Sequence, residues 1–219
     1  MIQLREVEKV YRRGAEEVHA LRGVDLDIRE GELLSIVGPS GAGKTTLLHI
    51  LGCLDTPTAG SVRFDGVEVE HMAESELVVL RRKKIGFIFQ QFYLIPGLTV
   101  AENVALPLLF NRRAVQRDRI ASIVEMVGLK ERMHHAPNQL SGGEMQRVAI
   151  ARSLVNDPEV VLADEPTGNL DSENSERIFE LLRTLNRKGL TVVMITHNGD
   201  LASRADRVVR IKDGRVQAA

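Results

Sequence analysis

Gly38-Pro39-Ser40-Gly41-Ala42-Gly43-Lys44-Thr45 satisfies the pattern G-x-x-x-x-G-K-[ST], a spacing that lets a glycine-rich turn wrap backbone N–H groups around phosphate oxygens. The turn sits between a β-rich run at 33–37 and a helical pattern at 46–54, so the following helix presents its positive N-terminal end to the same anion. Lys44 is placed to reach β- and γ-phosphates, and Thr45 offers a hydroxyl to Mg²⁺. Such a site needs a carboxylate from another strand, and the apolar run 160–163 ends in Asp164-Glu165. Asp164 is expected to orient the magnesium ion or its water. Glu165, one residue on, is a candidate general base for an attacking water.

The elements that must hold these residues read as an α/β fold: short β-rich segments alternate with helical patterns, as on a mainly parallel sheet. Runs at 33–37, 160–163 and 191–196 are rich in Val, Leu and Ile, as strands buried on both faces are. The opening differs. Segments 2–10 and 19–28 alternate, and 62–69 reads as a hairpin turning at Asp65 and Gly66, which predicts a small antiparallel sheet over one side of the core. No strand pattern falls between residues 94 and 159, where helical stretches lie near 100–110 and 115–127. A third helix is expected from Ser141, where Ser-x-x-Glu with Glu144 forms a capping box before Val148, Ile150, Ala151 and Leu154. The expectation is one domain over 1–219, with a helical lobe at about 91–158 inserted in a P-loop nucleotide-binding core.

Lys and Arg total 29 against 30 Asp and Glu, a net charge of −1, so no positive field favours nucleic acid. Hydrophobic residues at 43% and charged residues at 27% match an ordinary globular chain. The single cysteine, Cys53, closes no internal bridge, which points to a reducing cytosol, and it reads as helix packing. His134-His135 reads as a loop pair with no further ligand spacing. The charged N-terminus is unlike a leader, no regulatory domain is expected, and the longest charge-free stretch, 85–101, is broken by Gly86, Gln90, Gln91, Pro96 and Gly97. It falls short of the ~20 apolar residues of a membrane span.

Leu140-Ser141-Gly142-Gly143-Glu144-Met145-Gln146 resembles the signature of ATP-binding cassette ATPases, and the likeness extends over essentially the whole chain. By this resemblance Tyr11 stacks on adenine, Gly38 to Thr45 with Thr46 hold the phosphates, and Gln90 ligates magnesium or its water and senses nucleotide. Ser141, Gly142 and Gly143 then face the γ-phosphate held by a second subunit, Asp171 in Asn169-Leu170-Asp171 contacts that subunit, and His197 is the switch histidine. Two positions depart from the family's commonest wording: Asn198 stands where aspartate is frequent, and Asn169 where serine or alanine is.

The wording around 53–60, Phe89-Gln90-Gln91-Phe92, 105–109 and 166–171 is similar to the branch serving lipoprotein release and macrolide export. That resemblance implies ATP and Mg²⁺ as cofactors, a head-to-tail homodimer formed with ATP, and a separate transmembrane permease on whose cytoplasmic face the chain sits. Phe92, Tyr93, Leu94, Ile95 and Leu98 form either a docking surface for the permease or part of the helical lobe's own core. The alternative is a soluble cassette ATPase acting on DNA or ribosomes, but the inserted lobe is too short for a coiled coil and the charge near neutral. A guanine-reading Asn-Lys-x-Asp is absent from the sequence.

Overall fold

The structure is a computed structural model describing residues 1–14, 16–110 and 117–217. Two sheets and two layers of helix build it. The alternating opening segments become β1 (Ile2–Arg13) and β2 (Glu16–Ile28), which pair antiparallel. They are joined by β4 (Ala59–Phe64) and β5 (Val67–Glu68) in the order β2-β1-β4-β5. The expected hairpin at Asp65-Gly66 is present, with Phe64 opposite Val67, but Val69 leaves the strand for a short 3₁₀ turn.

The second sheet carries the chemistry. It comprises β3 (Leu33–Val37), β6 (Ile85–Ile88), β7 (Val160–Asp164), β8 (Thr191–Ile195), β9 (Arg207–Lys212) and β10 (Arg215–Gln217). Their order is β10-β9-β3-β8-β7-β6, all parallel except the last hairpin strand β10. Successive side chains serve opposite faces. In β7 and β8, Val160, Leu162, Val193 and Ile195 pack toward the antiparallel sheet and α1 (Lys44–Leu51). Val161, Ala163, Val192 and Met194 pack toward the helical layer on the other side. Burial on both faces is why these strands read as unbroken apolar runs.

That second layer contains α3 (Val100–Phe110), α4 (Arg117–Met126), α5 (Gly142–Leu154) and α6 (Ser172–Arg187). The expected start of a helix at Val115 lies outside the described residues, and no strand occurs between 94 and 159 among those described. Ser141 caps α5 as expected: its Oγ accepts from the Glu144 N–H at 3.3 Å, and Glu144 Oε2 accepts from the Ser141 N–H at 2.8 Å. Two further helices, α2 (Glu74–Lys84) and the short α7 (Gly199–Ala202), complete the fold. The first helix is shorter than the expected 46–54. It ends at Leu51, and Cys53 turns out of it with φ 53. Cys53 is buried, and burial pushes its thiol up to about 11.

Candidate active site

β3 delivers the phosphate loop to the C-terminal edge of the parallel sheet, where β7 and β8 also end. Gly43 has φ 100 and a Cβ there would stand 2.3 Å from the Ala20 carbonyl oxygen, so the turn into α1 requires glycine. The loop is braced from the antiparallel side and from the C-terminal hairpin. The Gly214 N–H donates to the Ala42 carbonyl at 3.1 Å, and the Arg22 N–H donates to the Gly214 carbonyl at 2.9 Å. Lys44 Nζ donates to the carbonyls of Gly38 and Pro39, each at 2.9 Å, which holds the ammonium inside the turn.

Ser40, Gly41, Gly43, Lys44, Thr45 and Thr46 line a cavity of ≈ 350 Å³ whose other wall includes Asp164 and Glu165. Thr45 Oγ1 donates to Asp164 Oδ2 at 3.2 Å. Burial pushes the Asp164 carboxyl up, with the Thr45 hydroxyl opposing the shift. A hydroxyl and a half-buried carboxylate form a hard oxygen set that suits a divalent cation, so these residues fit magnesium.

Glu165 follows β7 in a left-handed conformation, φ 49, and its N–H donates to the Ile195 carbonyl at 3.0 Å. That turn carries its carboxylate across to the end of β8, where Oε2 lies 2.7 Å from Nδ1 of His197. The pair spans the ends of neighbouring strands. A second cavity, ≈ 600 Å³, continues past His197 and includes Gly38 and Pro39 on its wall.

Tyr11 stands on β1 opposite Val18, which lines the phosphate-loop cavity. Its hydroxyl donates to Asp55 Oδ2 at 2.7 Å, and Lys9 Nζ, 5.0 Å from the ring centroid, reaches Asp55 as well. Lys9 and Asp55 were not singled out in the sequence; their pairing spans 46 residues and leaves no local pattern.

The remaining residues stand elsewhere. Ser141, Gly142 and Gly143 open α5 against the start of α6, where Gly143 lies under the Asn174 side chain. Asp171 caps α6, its Oδ1 accepting from the Asn174 N–H at 2.8 Å, a bond that holds the carboxyl below the usual range. Among the described residues no hydrogen bond joins 141–143 to the phosphate loop. Gln90 turns toward Asn169, to which its Nε2 donates at 3.2 Å. Asn198 caps α7, its Oδ1 accepting from the N–H groups of Asp200 and Leu201 at 3.0 and 3.1 Å. Gln146 is wholly buried and donates to the carbonyls of Pro166 at 2.7 Å and Phe89 at 3.4 Å.

Of the apolar segment after Gln90, Leu94 packs into the helical layer, as expected of core, while Tyr93 and Ile95 stay exposed. Tyr93 edges a groove of ≈ 620 Å³ with Leu54, Phe87, Phe89 and Phe110.

A parallel sheet with this loop between β3 and α1, and a carboxylate at the end of β7, defines a P-loop nucleotide-binding α/β fold. The chain belongs to the ABC transporter family: the family model described as "ABC transporter" matches residues 21–168. An uncharacterized ABC transporter ATP-binding protein of Thermotoga maritima is 52% identical, the match covering 99% of this chain and 94% of that one. A macrolide export ATP-binding/permease protein MacB of Bdellovibrio bacteriovorus is 46% identical over all of this chain, which spans only 34% of that longer protein. Among solved structures, the ATP-binding cassette MJ0796 as a dimer in a post-hydrolysis state with ADP and Pi superposes with a TM-score of 0.91 at 48% identity, covering 100% of this chain and 97% of that one. MJ0796 is a Methanocaldococcus jannaschii protein. This chain is accordingly an ABC-type ATP-binding subunit. None of its described helices is long and apolar enough to cross a membrane.

Proposed function

We propose that this subunit hydrolyses ATP and drives a separate membrane permease of the macrolide-export or lipoprotein-release type from its cytoplasmic face. The observation that carries the chemistry is the meeting of Thr45, Asp164 and Glu165 on the phosphate-loop cavity, with His197 2.7 Å from Glu165 at its edge. Residues 38–46 bind the phosphates through backbone N–H groups and Lys44, and Tyr11 stacks on the base. Thr45 and Asp164 hold magnesium, with Gln90 as a further ligand or water contact; the ion, when bound, neutralises phosphate charge. Glu165 takes a proton from water as its oxygen bonds to the γ-phosphorus. The bond to the β,γ-bridging oxygen breaks, giving ADP and phosphate. His197, oriented through Nδ1 by Glu165, presents Nε2 to the γ-phosphate.

Residues 1–219 act as one domain whose helical lobe, about 91–158, carries the second half-site at Ser141–Gly143. That half completes the site of a second copy turned head to tail, with Asp171 at the contact; the separation of the two halves within one chain supports this reading. The apolar groove at Tyr93 and Phe110 receives a cytoplasmic segment of the permease. Two supports are the exposed aromatics and the MacB relatives, named as ATP-binding and permease protein in one chain.

The test uses Glu165→Gln and Lys44→Ala. Glu165→Gln is expected to bind ATP, stop turnover and accumulate as a dimer, while Lys44→Ala loses nucleotide binding. Unchanged turnover in Glu165→Gln removes the general base from that residue. The trapped variant, captured from detergent-solubilised membranes with ATP, brings down a multi-span membrane protein. Recovery of ribosomal or DNA-bound proteins instead overturns the transporter reading.

A further inference from the structure

Gln90 and Asn169 form a reciprocal amide pair. Gln90 Nε2 donates to Asn169 Oδ1 at 3.2 Å, and Asn169 Nδ2 donates back to the Gln90 backbone carbonyl at 3.0 Å. The two residues are 79 positions apart. A Cβ at Gly168 would stand 2.8 Å from Gln90 Nε2, so a larger residue there would push the glutamine amide off its present position. Beneath them Gln146 grips both stems through the carbonyls of Phe89 and Pro166. The segment holding Gln90 and the one holding Asn169 are thus set at a fixed spacing by a buried side chain, and the exposed amides meet across it.

Neither Thr45 nor Asp164 is a hydrogen-bond partner of the Gln90 amide, and Gln90 does not line the phosphate-loop cavity. An amide offers its oxygen to a cation only in an orientation its nitrogen's partner permits. We infer that Asn169 is a positioning residue for Gln90: it holds the glutamine amide on the 166–171 segment, and Gln90 must release Asn169 to reach the magnesium site. The inference rests on the role given to Gln90 above. Serine or alanine at 169 lacks the second hydrogen-bonding group of this clasp, so the asparagine raises the Mg²⁺ needed for nucleotide capture.

The experiment titrates Mg²⁺ against a fixed concentration of a fluorescent ATP analogue bound to full-length Glu165→Gln protein, which reads binding without turnover. Asn169 is exposed, so its replacement removes no core contact. Asn169→Ala is expected to lower the half-saturating Mg²⁺ by about twofold to tenfold, the range one neutral hydrogen bond commands. In a Gln90→Ala background the same substitution is expected to change nothing. An equal shift in both backgrounds overturns the proposal, because Asn169 then acts without Gln90. If Gln90→Ala raises the Mg²⁺ requirement and Asn169→Ala leaves it unmoved, the role of Gln90 stands and the clasp is refuted. If Gln90→Ala itself has no effect, the reading of Gln90 fails and the clasp with it.

Discussion

Asn198 illustrates how one side chain can be unusual in wording and ordinary in physics. Its Oδ1 accepts two backbone N–H bonds at the start of α7, a task asparagine and aspartate perform about equally well. Asn198→Asp should therefore leave thermal stability within a few tenths of a kcal/mol, and Asn198→Ala should cost about 1 kcal/mol, read by denaturant unfolding. A larger loss for the aspartate variant rules out the simple cap. The phosphate loop, Asp164 and Glu165 were legible from residue type at a strand end, His197 only through the family resemblance, and the structure gathers them at one edge of the sheet. Gln146 and the partner of Gln90 were not legible. An amide in a helix and an amide in a loop announce no pairing until the fold brings them together.

Among the elements, the buried strands and the capped helix α5 stood out because burial on both faces and the capping box leave local marks. Helix α6 was overlooked although Ile178, Phe179, Leu182 and Leu185 recur at helical spacing and Asp171 caps it. Helix α2 is a different case: Leu77 alone is buried in it, so little periodicity exists to find. Strand β10 is three residues long and shows itself only by pairing with β9. Within α6, Phe179 is fully buried against the sheet, with the Arg204 guanidinium 4.6 Å from its ring centroid. Phe179→Ala is expected to destabilise the protein by about 3–5 kcal/mol in equilibrium unfolding. A loss under 1 kcal/mol contradicts the packing described.

For the whole molecule, Ser141–Gly143 lie on the helical layer and the phosphate loop on the sheet, so under the proposed function each active centre is a joint construction of two copies. Turnover per molecule should then fall as protein is diluted through the micromolar range, measured as phosphate release at saturating ATP. Constant turnover contradicts obligatory pairing. The sheet order carries one more consequence. β3, which delivers the phosphate loop, has as its neighbours β8 and β9, with Leu33 opposite Val192 and Leu34 opposite Arg207. A chain growing on the ribosome makes β3 early and its partners more than a hundred and fifty residues later. The antiparallel sheet from β1, β2, β4 and β5 can close before β8 and β9 are made, while β3 waits with both edges unpaired. Nucleotide capture is thus expected only once β8 and β9 have been made, and nascent chains stalled before β9 should not bind nucleotide.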